Sequence, residues 1–406
     1  MTAVAGTNLR LPSSGCEGEA NAYNSTSAFF LWQGEALPTS FVWKLKNAQD
    51  VFTFRDFILL PGRSEVEPKD IDLSTRLTKR ITLSSPVVSS PMDTVTEWRM
   101  ALALAKLGGV GVVHRNLGVA DQVEQVRKAK AAKISTGSVD EKGRPLVGAA
   151  MSPFDPERCR ALDRVADFLV TDVAHFHNSN VMRAMAKVLP ELSDEVIVGN
   201  IGTKRAVQDI AAELPRVEGF RVGIGSGAVC ITSEVTRVGA PTLFAVAEVA
   251  TAVDELKLNI PVIADGGIRG AGDASLALAT GASSVMLGAM LAGCAESPSR
   301  SVVRNGRRMK VHRGMASSAA RQVRFALDRY SVPAKGLDEG VEALVPYAGE
   351  AADVVGNLCN GLKASFGYAG AKGIQDLWRV AAFGLVSQSG SAELGAHSLT
   401  PLGARE

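Results

Sequence analysis

Short apolar runs recur along most of this chain, most of them ending in Gly, Ser, Asp or Asn. Eight of these runs read as β-rich: 86–90, 110–113, 146–150, 168–172, 196–199, 220–224, 262–265 and 285–288. Between most of them lie stretches with helical periodicity, among them 97–107, 120–130, 180–189 and 243–256. Runs that are apolar at nearly every position read as strands covered on both faces, as in a parallel sheet. Eight such strands alternating with helices predict an α/β fold, a (β/α)8 TIM barrel. An open doubly wound sheet is the competing architecture. No G-x-G-x-x-G follows the first strand and opens a helix, which weighs against it.

Three regions follow. Residues 1–50 mix Gly, Ser, Asn and Pro and are expected to form an irregular N-terminal arm; 51–380 should form the barrel; 381–406, rich in Ser and Gly, should be a mobile tail. Within the barrel region the stretch from about 300 to about 350 is basic at first and then rich in Gly and Pro. A long irregular segment after the last strand is expected to be an active-site flap.

Composition narrows the functional class. Of 406 residues, 46% are hydrophobic and only 5% aromatic, so the core must rest on Val, Leu, Ile and Ala. A net charge of +2 is too small to imply nucleic-acid binding. No run of about eighteen apolar residues is present to span a membrane, and no basic stretch leads into an apolar run as in a secretory leader. Five scattered cysteines form no CxxC pair, which argues against a disulfide framework or a zinc site and for a reducing cytoplasm.

In a barrel of this kind function gathers on the loops at the C-terminal strand ends. The most distinctive of these loops is Gly223-Ile-Gly-Ser-Gly-Ala-Val-Cys-Ile-Thr232. Its glycines permit sharp turns and close approach to a ligand, and the exposed backbone can hold a cation by carbonyls or an anion by N–H groups. Cys230 at its end is either a nucleophile or a buried structural thiol beside a glycine turn. Asp265-Gly-Gly-Ile-Arg269 ends the seventh run. Its carboxylate can bind a ribose diol and its glycines a phosphate, or Asp265 can cap the next helix. Gly288, after the eighth run, lies where barrels bind phosphate. His175 and His177 alternate along one strand face, but no third ligand at useful spacing accompanies them.

Longer stretches carry a resemblance. Asp56-Phe-Ile-Leu-Leu-Pro-Gly-Arg-Ser64, Ser89-Ser-Pro-Met-Asp-Thr-Val-Thr-Glu97, Leu107-Gly-Gly-Val-Gly-Val-Val-His-Arg-Asn116 and the Cys230 loop resemble the inosine-5′-monophosphate (IMP) dehydrogenases and the related guanosine-5′-monophosphate (GMP) reductases. The resemblance runs from about 54 to about 377. It implies that Cys230 attacks C2 of the purine, that hydride passes to NAD, and that water hydrolyses the resulting thioimidate to xanthosine monophosphate. By the same resemblance Thr232, Arg329 and Tyr330 are catalytic, the arginine as general base. Ser90, Asp265, Gly267, Gly288, His312, Gly314, Met315 and Glu339 would bind the substrate. Asp172, Asn200, Gly223 and Gly225 would lie on the dinucleotide side. The carbonyls of Gly225, Gly227 and Cys230 would hold K+, and the assembly would be a homotetramer. A GMP reductase-type deaminase using NADPH, and an inactive homologue that binds a ligand, are the alternatives. The Arg329-Tyr330 pair favours the dehydrogenase.

Two departures from the family pattern stand out. Many members insert a pair of CBS modules between the second and third strands, whereas 130–144 here is a short polar linker. The phosphate site also changes: Ala228 stands where the family usually has Ser, Ala289 where Ser or Asn is common, and His312 where Tyr is usual. Each lost hydrogen bond to a charged group costs roughly 1.5–3 kcal/mol.

Overall fold

A computed structural model describes residues 41–321, 338–387, 389–390 and 394–395. The chain divides into two compact units, 1–50 and 51–406. In the first unit, Phe41–Lys46 forms a helix with no buried side chain, where an irregular arm was expected. The stretch Phe-Val-Trp-Lys-Leu-Lys contains no Gly or Pro to interrupt a helical turn.

The second unit opens with strand β1 (Phe57–Leu60) and a hairpin of β2 (Thr75–Arg76) and β3 (Thr82–Leu83). Eight strands then follow in order: β4 (Val87–Ser89), β5 (Val110–Val113), β6 (Val147–Met151), β7 (Phe168–Thr171), β8 (Glu195–Ile201), β9 (Gly219–Val222), β10 (Val262–Asp265) and β11 (Ser284–Leu287). They pair in sequential order, and β11 returns to β4 to close the barrel. All of these pairings are parallel, as in Val88 opposite Val110 and Met286 opposite Val88. Each predicted run coincides with one strand, its ends within two residues of those expected.

The barrel strands are buried almost throughout, and their side chains alternate between two cores. Val88, Val110, Val112, Phe168, Val170, Ile197, Ile263 and Met286 fill the barrel. Their neighbours Val87, Val113, Leu169, Val196, Val262, Val285 and Leu287 join the helices outside. A period of two is what a pleated strand imposes. Gly148 in β6 makes room for the Phe168 ring, because a Cβ there would lie 2.3 Å from its Cζ. The β2–β3 hairpin sends Leu77 and Leu83 into the inner core. Thr75 donates to the Ser283 carbonyl and Thr78 to Glu195, both at the N-terminal ends of strands, so that end is sealed.

Between the helix Val119–Lys130 and β6 the chain makes only a short turn. The Asp140 carboxylate accepts from the N–H groups of Lys142 and Arg144, and no module is inserted.

Two expectations need correction. The segment after the last barrel strand is not irregular throughout: β12 (Ser301–Arg304), β13 (Arg307–Arg313) and β14 (Glu342–Pro346) form an antiparallel sheet. No apolar alternation reveals its strands: β12 is largely exposed, β13 is strongly basic and β14 is only partly covered. The tail also begins with a strand, β15 (Ala382–Leu385), paired antiparallel with β1. The Phe383 ring meets Phe57 edge-on at 6.1 Å, and the β1 backbone satisfies a strand that has no local partner.

Candidate active site

At the C-terminal ends of the barrel strands lies a cavity of about 490 Å³. Ser90, Asp172, Asn200, Gly223, Gly225, Gly227, Cys230, Thr232, Asp265, Gly267, Gly288, His312, Gly314, Met315 and Glu339 all line it. Six of the eight barrel strand ends, those of β4 and β7–β11, and the β13–β14 region thus contribute to one concave surface. The altered positions Ala228 and Ala289 line it as well. Arg329 and Tyr330 lie outside the described residues.

The loop after β9 carries the sulfur. Gly223 and Gly225 have φ of +127° and +83°, and a Cβ on Gly225 would fall 1.8 Å from the Ser233 Oγ. Only glycine fits such a turn. The loop is laced to the flap region by backbone hydrogen bonds. The Ile231 N–H donates to the Glu339 carbonyl at 3.0 Å, Val341 N–H to the Val229 carbonyl at 3.0 Å, and Gly314 N–H to the Val341 carbonyl at 3.0 Å. Gly314 and Gly340 allow this close approach: a Cβ on Gly314 would lie 2.7 Å from the Val229 oxygen. The lacing brings side chains together. Cys230 Sγ is 3.3 Å from Thr232 Oγ1, which donates to Glu339 Oε2 at 3.0 Å. Glu339 is buried, whereas Cys230 is partly open to the cavity. Thiol, hydroxyl and carboxylate form one line, suited to nucleophilic attack and to guiding a proton or a water.

The other polar wall is a buried ionic chain. Asp265 accepts from Arg221 Nε at 2.8 Å and from Asn200 Nδ2 at 2.9 Å. Arg221 Nη1 lies 3.5 Å from Asp172, which also accepts from Arg115. Burial works against the Arg221 charge, but the Asp265 and Asp172 carboxylates outweigh it and hold its pKa above the ordinary guanidinium value. Asp172 and Asn200 therefore serve in part to orient their neighbours. Arg221 and Arg115 were missed by the sequence reading. The signal was present: Arg221 lies inside an apolar stretch, Phe-Arg-Val, and Arg115 closely follows another, Val-Gly-Val-Val113.

His312, at the end of β13, is fully enclosed, with Nδ1 3.0 Å from Thr94 Oγ1. Burial pushes its pKa down to about 4, so the ring is neutral near pH 7. Beside it Arg313 binds the Asp93 carboxylate at 2.6 Å, and Asn116 Nδ2 donates to the same carboxylate at 2.8 Å. This ties the loops after β4 and β5 to the Gly314–Met315 wall. His175 and His177, which follow the cavity-lining Ala174, do not line the cavity themselves: His177 Nε2 bonds Asp209 at 2.9 Å, and burial lowers the His175 pKa. Among the described residues no cluster of three metal-ligating side chains occurs.

A domain profile for IMP dehydrogenase / GMP reductase matches residues 51–397. The chain belongs to the IMP dehydrogenase / GMP reductase family. Its relatives include the inosine-5′-monophosphate dehydrogenase of Korarchaeum cryptofilum (strain OPF8), 38% identical over 472 residues that span 88% of this chain and 99% of that protein. The enzyme of the same name from Thermoplasma acidophilum is 33% identical, over 88% of this chain and 96% of its own. That of Cryptosporidium parvum is 36% identical over 391 residues, 87% of this chain and 96% of its own. Since 88% of 406 residues is about 357, roughly 115 of the 472 positions aligned with the Korarchaeum protein have no counterpart here. For the Cryptosporidium protein, 87% being about 353 residues, the excess is about 38. This member of the family is therefore a compact form, consistent with its short β5–β6 connection. Among the described residues no helix is long and apolar enough to cross a membrane.

Proposed function

We propose that this chain oxidises IMP to xanthosine 5′-monophosphate with NAD, a step of guanine nucleotide synthesis. The observation that carries this reading is the Cys230–Thr232–Glu339 line opening into the same cavity as the Asp265 carboxylate. The Cys230 sulfur adds to C2 of the purine, and hydride leaves C2 as the C–S bond becomes part of a thioimidate. NAD, when bound, accepts that hydride. Water then attacks C2 and the sulfur departs, so that IMP, NAD and water give the product, NADH and a proton. Thr232, held by Glu339, is positioned to orient that water while its oxygen touches the sulfur. Arg329 and Tyr330 complete the hydrolytic half, the arginine as base.

Asp265, fixed by Arg221 and Asn200, offers its oxygens to the ribose. Ser90, Gly267, Gly288, His312, Gly314 and Met315 form the rest of the nucleotide wall. Asp172, Asn200, Gly223 and Gly225 lie on the side assigned to NAD. The carbonyls of Gly225, Gly227 and Cys230 would hold K+. Neutral backbone oxygens suit a weakly hydrated monovalent cation, and the Gly227 carbonyl, which accepts the Cys230 N–H at 2.9 Å, keeps a second lone pair. A cytoplasmic homotetramer is the assembly proposed, and the partly open thiol of Cys230 is compatible with a reducing compartment. Incubation of purified protein with IMP and NAD should yield NADH and xanthosine monophosphate, and quenching should trap a base-linked mass on Cys230. Ammonia release from GMP with NADPH, and no oxidation of IMP, would assign the reductase reaction instead.

A further inference from the structure

Barrel enzymes commonly bind phosphate at the loops after the seventh and eighth strands. Here those loops are 266–269 after β10 and 288–290 after β11, and both line the cavity. The side chains around them are poor partners for a dianion. Ala228 and Ala289 present methyl groups, and Met92 and Met290 add thioethers. Met92 Sδ lies 3.5 Å from where a Cβ on Gly288 would stand. His312 is neutral near pH 7 and already bonds Thr94.

The charges lining the cavity point the same way. Among the described residues they are Asp172, Asp265, Glu339, Arg221 and Arg269. Both guanidinium groups are matched: Arg221 by Asp265 and Asp172, and Arg269 by Asp273, with Nε 2.9 Å and Nη2 3.1 Å from its oxygens. A phosphate would bring further negative charge to a lining that, among the described residues, holds three carboxylates and two engaged cations. Burying charge without a matched partner is costly. What remains near Gly288 is neutral: backbone N–H groups, and the hydroxyl of Ser90, whose Cβ lies 3.8 Å from the same constructed Cβ. A free 5′-hydroxyl both donates and accepts, and such partners satisfy it.

Resting on the reaction proposed above, we infer that this enzyme accepts the hypoxanthine nucleoside, with an uncharged 5′ end, about as well as the 5′-monophosphate. Ala228, Ala289 and His312 are the residues that remove the preference for phosphate. Charge-assisted hydrogen bonds are each worth on the order of ten- to a hundredfold, so three of them would favour the nucleotide by a thousandfold or more.

The test is steady-state oxidation of inosine and of IMP by the purified enzyme with NAD, with calorimetric titration of each compound. A ratio of kcat/KM for IMP over inosine within about tenfold is expected, with affinities in similar proportion. A preference for IMP of a thousandfold or more would overturn the inference and leave the reaction assignment intact. Oxidation of neither compound would defeat the reaction assignment and this inference with it. The paired substitution Ala228→Ser and Ala289→Ser, which adds only two hydroxyl groups, should raise the ratio by tenfold or more. An unchanged ratio would show that these positions do not set the preference.

Discussion

Replacing Arg221 by Met removes the cation that separates Asp265 from Asp172 while keeping a long unbranched side chain. The Arg221, Asp265 and Asp172 side chains are only 7%, 14% and 2% exposed, so water cannot take over the role of the guanidinium. Removing one partner of a buried ion pair costs about 3–5 kcal/mol. Asp265 keeps the Asn200 amide at 2.9 Å and Asp172 keeps Arg115 at 3.3 Å, which places the expected loss at the lower end, about 3 kcal/mol. Urea unfolding of R221M against the parent, extrapolated linearly, measures it. The double variant R221M/D265N should recover part of the loss, because the uncompensated carboxylate is gone, and the cycle gives the coupling directly. KM for the substrate should rise in R221M, since Asp265 loses the donor that aims it. A loss below about 1 kcal/mol, together with strictly additive single variants, would show that Arg221 does not hold Asp265 as argued.

Other outcomes follow from the same geometry. Cys230→Ala should lower turnover by at least about a thousandfold without changing the melting temperature, and no base-linked adduct should be trapped; retained activity would refute covalent catalysis. Thr232→Val removes the hydroxyl between Cys230 and Glu339, so hydrolysis of the adduct should slow by about 10²–10⁴. A rapid burst of NADH followed by a slow steady state would be the signature, and equal slowing of both phases would contradict it. Asp194 is raised to about 7, first by burial and then by the charges of Asp163 and Asp167. Its folded pKa lies above the ordinary carboxylate value, so its contribution is fully present below about pH 4 and is lost as pH rises through 7. Asp194→Asn should therefore gain in relative stability across that window and stay level above it, as pH-dependent thermal melts would show; a gain confined to acid pH would reverse the assignment.

Much of the barrel was legible because parallel strands covered on both faces are apolar at consecutive positions, as in Val110-Gly-Val-Val113 and Val262-Ile-Ala264. The loops that end those strands gave the site almost for free, since the fold sends all of them to one face. What escaped notice depended on distant partners. β15 is an unremarkable Ala-Phe-Gly-Leu until β1, more than three hundred residues earlier, supplies its ladder. β12 is mostly exposed, and β13 sets basic residues beside its buried Lys310, Val311 and His312, so neither period nor hydrophobicity betrays them. Arg221 was read simply as part of an apolar run. Its charge is tolerable there only because Asp265 and Asp172 arrive from two other strands.

Glu339 is fastened twice to the same short stretch of chain: its carbonyl accepts from Ile231 and its carboxylate from Thr232. Any molecule that wedges between these two segments would therefore part Thr232 from Glu339 without touching the sulfur. An inhibitor of this kind would work as a spacer rather than as an electrophile.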